Sequence, residues 1–356
     1  DLKVMTMYTS SSGIREDLRR LQEAQPGLRA RDMAQALGVS EGALVASGCG
    51  HGTTRLAADF PAQIAALQTL GEVMALTRNA HAVIEKVGVY ENFEHHGHAS
   101  QVIGEQIDLR LFLGRFHVGF AETKEGPRGT QRSIQYFDES GQAVHKIHLR
   151  AASDVAAFTA FVDRFGDPNQ APEQKFTPAA DKVPLRSDAE IDVAGLRRQY
   201  EQMKDTHELF HILRTFEVGR LQALRLLGPE HARKVQPLAL RTLLQAAAER
   251  ELPIMVFVGS VGVIQIHTGP VRTLRQYGDW FNVMDPGFNL HLDESGIASA
   301  WVVRKPTADG FVSSLELYDD REETILLAFS KRKPGQCESA EWRALLAGLV
   351  LPAPSH

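Results

Sequence analysis

The sequence contains an internal duplication, because a shift of 181 residues places one long segment on another without a gap. Leu109-Arg110-Leu111 falls on Leu290-His291-Leu292, residues 73–76 fall on 254–257, and residues 133–138 fall on 314–319. Agreement in apolar pattern over such a span is typical of a chain built from two copies of one structural unit. We therefore expect two halves with the same fold.

Each copy has the pattern of an antiparallel sheet, in which short runs alternate apolar and polar residues between Gly, Pro and Asp turns. Clear examples are 73–77, 108–113, 133–138 and 143–149 in the first copy, and 253–258, 289–294, 299–305, 313–319 and 324–330 in the second. Helical patterns precede these runs, at 14–24, 30–37, 40–47 and 59–70, and then at 191–216, 218–228 and 236–250. The predicted fold class is α+β, internally duplicated, with each half a helical segment followed by a large antiparallel meander sheet.

The two halves are separated by a segment with the composition of a linker. Residues 166–190 are rich in Pro, Asp, Ala and Gln and have little apolar periodicity. The predicted organisation is an N-terminal repeat at 14–165, a linker at 166–190 and a C-terminal repeat at 191–351. Residues 1–13 are expected to be a leader with no role in the fold.

Composition excludes several classes of protein. The formal net charge is -5, so no overall basic field attracts nucleic acid. The only two cysteines, Cys49 and Cys337, are far apart and form no CxxC pair, which argues against a disulfide framework or a thiolate zinc site. No apolar run approaches the roughly 18 residues needed to cross a bilayer. We expect a cytoplasmic protein that does not insert into membranes.

The segment 204–211 (KDTHELFH) carries the most informative side chains. His207 and His211 are four residues apart, so on a helix they share one face. Neutral imidazole is a good ligand for haem iron. The alternative is that both histidines belong to an ordinary amphipathic helix, in which residues of intermediate polarity are common.

The same residues match the HExxH pattern of zinc peptidases, in which two histidines hold zinc and the glutamate is the general base. A zinc site of this kind needs a third protein ligand. The GxxH extension is absent, since Arg214 stands where the glycine would be, and neither Glu217 nor Glu230 lies in a second motif. Zinc peptidase activity is therefore disfavoured.

Three further features attract attention. Arg110 lies in an apolar strand, where a guanidinium needs an anion or water as a partner, unless the strand simply alternates and Asp108, Arg110 and Phe112 share a wet face. Basic residues recur at 304–305 and 331–333 and would suit the carboxylates of a ligand, although solvated edge charges are common. Residues 31–44 have the sequence pattern of a helix-turn-helix. The residues at the start of the second helix are acidic or small, which favours a structural helical hairpin over recognition of DNA bases.

Taken in order, several blocks of the sequence resemble one family, the cytoplasmic haem-trafficking and haem-degrading proteins of the HemS/ChuS/ShuS/PhuS type. The resemblance runs from about residue 14 to the C-terminus and includes both halves. It depends on the blocks RARDMAQALGVSEGAL, ALTRNAHAVIEKVGVYEN, DLRLFL, SIQYFD, DTHELF, IMVFVG and RKPTADGFVSSLELY.

The resemblance implies a duplicated α+β fold that holds haem, iron protoporphyrin IX, as its cofactor. It implies that His207 is the axial iron ligand, that His211 is an alternative ligand, and that Arg110 lies on the opposite side of the haem with Phe112 as a pocket wall. Arg220, Lys305 and Arg332 match positions associated with the propionates or the pocket edge. Phe329 stands where some members have a tyrosine, so a hydroxyl contact is lost.

The function that follows is haem binding after import and delivery for iron release or storage. The alternative is a haem-degrading, oxygenase-like enzyme that uses an external reductant, with Arg110 as its catalytic residue, and a further alternative is a haem-responsive DNA-binding regulator. A cytoplasmic haem oxygenase and the haem ABC importer are the implied protein partners. The sequence leaves open whether the protein is a monomer or a dimer.

Overall fold

The computed structural model describes residues 11–97, 99–127, 129–332 and 335–350. The expected leader at 1–13 lies partly outside these ranges, and its last three residues belong to the first helix, so that part of the prediction was wrong. Residue 351, the predicted end of the second half, also lies outside the described residues.

The helices of the described residues, in chain order, are α1 (Ser11–Ala24), α2 (Ala30–Leu37), α3 (Glu41–Ala46), α4 (Phe60–Ala66), α5 (Val155–Phe165), α6 (Val193–Glu201), α7 (Glu208–Thr215), α8 (Arg220–Leu227), α9 (Ala239–Glu249) and α10 (Ala340–Ala347). Short 3-10 turns occur at Leu67–Leu70, Leu113–Arg115, Asp188–Glu190 and Glu294–Gly296.

The strands are β1 (Thr53–Leu56), β2 (Val73–Arg78), β3 (Ala82–Gly88), β4 (Phe93–His96), β5 (Ala99–Ile103), β6 (Asp108–Leu111), β7 (Val118–Gly126), β8 (Gly129–Phe137), β9 (Ala143–Leu149), β10 (Ala232–Val235), β11 (Ile254–Gly259), β12 (Val263–Gly269), β13 (Leu274–Tyr277), β14 (Trp280–Asp285), β15 (Phe288–Asp293), β16 (Ser299–Thr307), β17 (Gly310–Tyr318) and β18 (Thr324–Ser330).

The predicted duplication is confirmed by the bounds of the strands. Strands β2, β3, β4, β7, β8 and β9 begin and end 181 residues before β11, β12, β13, β16, β17 and β18 respectively. The 3-10 turns at Leu113–Arg115 and Glu294–Gly296 have the same offset. The α+β fold class is therefore confirmed, with helices and antiparallel strands in both halves.

One predicted helix is wrong in an informative way. The pattern over 191–216 predicts a single helix, but the structure contains α6 and α7 separated by residues 202–207. The buried residues Met203 and Leu209 are six positions apart, which is out of phase with the helical spacing of three, four or seven, so the break is visible in the pattern of apolar residues. A helix also follows each sheet, α5 in the first half and α10 in the second, and neither was predicted.

The chain forms two compact units that do not follow the linear boundary. The first contains the described residues of Asp1–Arg78, Glu85–Ala180 and Ser260–Gln265. The second contains those of Asn79–Ile84, Asp181–Gly259 and Ile266–His356. The main division falls inside the predicted linker, but a six-residue stretch from each half belongs to the unit of the other half.

In the first unit, five antiparallel strands are ordered β1-β7-β8-β9-β2, and three others are ordered β6-β5-β4. Alternation along β2 buries Val73 and Ala75, as the period of a half-buried strand requires. These residues join a core that α4 and α5 cover with Ile64 and Phe161. A shift of register between Tyr136 and Phe137 marks a bulge in β8.

The second unit repeats this plan, with strands ordered β10-β16-β17-β18-β11 and β15-β14-β13. Its β17 has the matching irregularity between Leu317 and Tyr318. Helices α9 and α10 cover the main core, where Trp342 is fully buried and donates its indole N–H to the carbonyl of Ser313 at 2.9 Å. A second cluster lies under α6, α7 and α8.

A buried chain of polar side chains distinguishes the first unit from its copy. The Thr77 hydroxyl lies 2.9 Å from Nδ1 of His145, whose Nε2 lies 2.5 Å from the Tyr90 hydroxyl, and Thr77 donates to Gln265 at 2.8 Å. Burial, followed by the nearby His148, lowers the pKa of His145 to about 3, so its imidazole is neutral. The four counterparts at the 181-residue offset are apolar and buried, namely Val258, Leu326, Val271 and Ile84.

None of the helices in the described ranges has the length and apolar character needed to span a bilayer.

Candidate functional site

His207 stands at the start of α7, in the turn that follows α6. The carboxylate of Glu208 accepts the backbone N–H groups of Lys204 and Asp205, at 3.1 and 3.0 Å. The carboxylate of Asp205 in turn accepts the backbone N–H of His207 at 2.8 Å. These contacts satisfy backbone N–H groups of the turn that leads into α7. The turn is therefore fixed by two side chains of the segment itself.

The imidazole of His207 projects into solvent, with 92% of the side chain exposed. Its Nδ1 lies 2.6 Å from the same Asp205 oxygen that accepts the backbone N–H. A carboxylate can only accept, so Nδ1 carries the proton and the neutral ring has its lone pair on Nε2. In this tautomer the exposed side chain presents Nε2 as the nitrogen that can bind a metal ion.

The Asp205 carboxylate is held in its charged form. The backbone N–H of His207, then the imidazole of His207, and then the positive charge of Arg332 place the pKa of Asp205 below its usual value. Arg332, predicted to contact a carboxylate of the ligand, is half-buried and donates to the carbonyl of Gln336 at 3.4 Å. The structure thus brings Arg332 and the His207 turn into electrostatic reach of one another.

Helix α7 buries one face and exposes the other. Leu209 and Ile212 enter the core of the second unit. Four of the exposed residues at and in α7, His207, Phe210, His211 and Arg214, are spaced i, i+3, i+4 and i+7, which places them on one face. Phe210 is 69% exposed, and the Arg214 guanidinium lies 5.9 Å from its ring centroid. Phe210 and Arg214 were missed by the sequence reasoning, although their spacing from His207 was readable.

A shallow depression of about 800 Å³ lies beside this turn. It is lined by Glu201, Gln202, Met203, Lys204, Pro306, Thr307 and Ala308. The backbone N–H of Ala308 donates to the carbonyl of Lys204 at 2.9 Å, so the turn between β16 and β17 supports the segment that leads to His207.

Arg110 and Phe112 belong to the first unit, at β6 and just after it. The Arg110 guanidinium donates to the carboxylate of Asp108 at 2.5 Å and is 38% exposed. Phe112 is 40% exposed. Arg110 therefore lies on the wet face of an alternating strand with Asp108 as its partner, as the simpler of the two sequence interpretations has it. Whether it faces a ligand stays a prediction.

Arg220 and Lys305 are held by a buried carboxylate that the sequence reasoning did not single out. Glu316 is fully buried and accepts Arg220 Nε at 3.1 Å and Lys305 Nζ at 2.8 Å, together with the hydroxyls of Ser314 and Tyr318. Burial would raise the pKa of Glu316, but the charges of Arg220 and Lys305 lower it by more, so the carboxyl is ionised. We call these five residues the Glu316 cluster. A contact of Arg220 or Lys305 with a ligand carboxylate stays a prediction.

Phe329 lies beside this cluster. Its ring centroid is 5.0 Å from that of Phe257 and 5.2 Å from Lys305 Nζ. Phe329 thus packs against an aromatic ring and a cation.

The residues of the two alternative motifs have other contacts in the structure. Among the described residues, no group of three potential ligands is placed to hold a metal ion, and the Glu208 carboxylate already accepts two backbone N–H groups. In the helix-turn-helix pattern, α3 has six residues, of which five are buried, including Leu44 and Val45. A helix packed in this way has no face to insert into a DNA groove.

Comparison with known proteins gives consistent matches in both halves. The family model described as "Haemin-degrading HemS.ChuX domain" matches residues 38–165 and 217–349, one copy in each half. The hemin transport protein HmuS of Yersinia pestis is 39% identical over 326 residues, which are 91% of this chain and 94% of that protein. HemS of Yersinia enterocolitica, also a hemin transport protein, is 38% identical over 95% of this chain and 98% of its own length.

Solved structures agree over almost the whole chain. Holo-PhuS, a heme-binding protein from Pseudomonas aeruginosa, has a TM-score of 0.94 and 45% identity, covering 96% of this chain and all of that one. The heme-degrading enzyme ChuS of Escherichia coli O157:H7 has a TM-score of 0.90 and 34% identity, with the same coverage.

Proposed function

Because the chain belongs to the Haemin-degrading HemS.ChuX domain family, we propose that it binds haem through His207 and carries it within the cytoplasm for iron release or storage. The observation that carries this proposal is the state of His207. Its imidazole is exposed, its Nδ1 proton is held by Asp205, and its Nε2 lone pair is available for iron. Relatives that are 39% and 38% identical are hemin transport proteins, which supports the same function.

The residues around His207 fit the chemistry of haem, a flat apolar ring with a central iron and two propionates. Phe210 is an exposed aromatic side chain one turn from the ligand, and its ring can cover part of the porphyrin. His211, on the same exposed face, is the proposed alternative ligand during transfer. Arg214 and Arg332 are the cations best placed for the propionates, because guanidinium groups bind carboxylates in a bidentate manner.

The other predicted contact residues differ in how far their side chains are available to a ligand. Arg110 and Phe112 are partly exposed, so both are free to face a ligand within the limits of the Asp108 ion pair. Arg220 and Lys305 already neutralise Glu316, and Lys305 is almost fully buried. We propose that these two cations act mainly by fixing the sheet beneath α8.

An optical titration with haemin tests the proposal. Wild type is expected to form a Soret-absorbing complex with about one haem per chain. His207→Ala should change that spectrum, while His211→Ala should leave the resting complex in place. His96→Ala is the matched control, because His96 is an exposed histidine of the first unit whose neighbour is Glu94. An unaltered titration and spectrum in His207→Ala would remove His207 from the site.

Haem degradation is the second candidate function, since the family description is haemin-degrading and ChuS is a heme-degrading enzyme. Haem would supply the redox-active iron, and the Arg110 guanidinium would stabilise developing negative charge by donating hydrogen bonds. Incubating the haem complex with ascorbate and catalase should give a biliverdin-type product if the protein is an enzyme. Loss of all haem degradation when catalase is added would show that free peroxide, and not the protein, degraded the haem. Arg110→Lys keeps the charge and tests the role of the guanidinium.

A transport role implies exchange with other proteins. We propose that a cytoplasmic haem oxygenase receives the haem and that the haem ABC importer supplies it. Mixing the haem-loaded protein with an oxygenase and following the Soret spectrum of each tests the first step. Transfer that is no faster than spontaneous haem release would argue against a direct partner.

A further inference from the structure

We propose that Asp205 is a positioning residue that fixes the tautomer of His207 and strengthens it as an iron ligand, an inference that rests on the haem-binding function proposed above. None of the sequence reasoning gave Asp205 a role. The proposal depends on the contacts of one carboxylate oxygen at the start of α7.

The geometry fixes the imidazole in two ways. One oxygen of Asp205 accepts the His207 backbone N–H at 2.8 Å and the His207 Nδ1–H at 2.6 Å. The ring is thereby tied to its own backbone through a single acceptor, although the side chain is 92% exposed. Without this contact an exposed imidazole would exchange between tautomers and rotamers, and part of the population would present a protonated Nε2. Asp205 removes that cost of ordering before the ligand arrives.

The charge of the acceptor matters as well as its position. A histidine that ligates a metal commonly donates its other N–H to a carboxylate, which fixes the ring and raises the basicity of the ligand. A charged acceptor makes a hydrogen bond roughly twice as strong as a neutral one. Electron density is thus pushed toward Nε2, which favours ferric over ferrous iron. A carrier with such a ligand keeps its haem in the ferric state.

The structure supplies a matched control on the same turn. Glu208 is also a carboxylate at the start of α7, but it accepts the backbone N–H groups of Lys204 and Asp205 and makes no hydrogen bond to the imidazole. Replacing either acid by its amide removes one negative charge at the same helix end and keeps an oxygen that can accept. Asparagine is also a good residue at a helix N-terminus, so Asp205→Asn is expected to fold.

The experiment compares wild type, Asp205→Asn, Glu208→Gln and His207→Ala, each loaded with haemin. Resonance Raman of the reduced complexes measures the iron–histidine stretching frequency, and spectroelectrochemistry measures the reduction potential. Asp205→Asn should lower the stretching frequency, raise the potential and weaken haem affinity by about tenfold. Glu208→Gln should match wild type in all three.

Two results would overturn the inference. In one, Asp205→Asn has the wild-type stretching frequency and potential, so Asp205 only holds the turn. In the other, Glu208→Gln shifts both quantities as much as Asp205→Asn, so the effect is one of general charge. His207→Ala distinguishes failure of the proposed function from failure of this inference. An unchanged haem complex in His207→Ala refutes His207 as the iron ligand. A changed complex in His207→Ala, together with wild-type behaviour of Asp205→Asn, refutes only the role of Asp205.

Discussion

Removing the charge of Glu316 should destabilise the second unit far more than removing one of its cations. In Glu316→Gln, the amide nitrogen must face either Lys305, Ser314 and Nη2 of Arg220, or Nε of Arg220 and Tyr318, and in both orientations a buried donor loses its acceptor. Lys305 is only 3% exposed and cannot reach water. Breaking a buried ion pair on one side costs about 3–5 kcal/mol, so we expect a loss of about 4 kcal/mol.

Lys305→Met should be milder, because Arg220, Ser314 and Tyr318 still satisfy the carboxylate. The loss is then about 2 kcal/mol, the value of one hydrogen bond to a charged group. In the double variant the stranded cation is gone, so the loss should stay near about 4 kcal/mol instead of reaching the sum of about 6 kcal/mol. The difference of about 2 kcal/mol is the coupling between the two side chains.

Urea unfolding followed by tryptophan fluorescence measures this coupling, because the signal reports on the second unit. The chain's three tryptophans, Trp280, Trp301 and Trp342, all belong to that unit. With a slope of about 2 kcal/mol per molar urea, Glu316→Gln should shift the midpoint down by about 2 M. A Glu316→Gln midpoint equal to that of wild type, or strict additivity in the double variant, would refute the account of the cluster.

The same residue makes a prediction about pH. The pKa of Glu316 in the folded protein lies below its ordinary value of 4.5. The stabilisation is therefore complete above that value and is lost as the pH falls toward the folded pKa. Between pH 6 and pH 4, wild type should lose more stability than Glu316→Gln does.

Three further predictions concern the first unit and the thiols. The folded pKa of His145 is about 3 against an ordinary 6.5, so the stability of the first unit should be full above pH 6.5 and fall as the pH drops toward 3. In calorimetry, His145→Leu should be less stable than wild type at pH 8, but its stability should fall less steeply as the pH drops. Gly52→Ala should cost about 3 kcal/mol of stability, since φ at Gly52 is +91° and a Cβ would lie 2.6 Å from the Thr123 carbonyl oxygen. Gly50→Ala, at φ +80°, meets no neighbour within 4 Å and should cost about 1 kcal/mol. Equal melting temperatures of the two variants would contradict this. Cys337 is exposed, while Cys49 is buried and burial raises the pKa of its thiol, so a thiol reagent should label one cysteine in the native protein and two in denaturant.

The sequence predicted most of the fold because the duplication supplied each strand pattern twice. An alternating run such as 143–149 is ambiguous by itself, but its repetition at 324–330 makes a strand far more secure, and both strands occur with those bounds. The break between α6 and α7 was also readable in principle. Asp205 followed three residues later by Glu208 is a signal for the start of a helix, and the single-helix prediction over 191–216 did not use it.

The site could be predicted only in part. His207 and His211 were singled out from spacing and resemblance and stay predictions, and the structure places both among the exposed residues at and in α7. The engagement of Lys305 with Glu316 could not be found in this way. In the strand pattern both residues are simply alternating positions, and nothing local says that strands β16 and β17 bring their side chains together. The register of the two paired strands, which alternation does not fix, decides whether a cation is available to a ligand or already neutralised.

The segments 79–84 and 260–265, each assigned to the compact unit of the other half, determine how this protein can be dissected. A single cut in 166–190 would not release either unit intact. Each fragment would lack six residues of its own unit and would carry six that belong elsewhere, and a strand deprived of its neighbour exposes a row of unpaired N–H and C=O groups. Half-length chains are therefore expected to aggregate and do not reproduce the native units. Assays that assign haem chemistry to one half should be made by point substitution in the full chain.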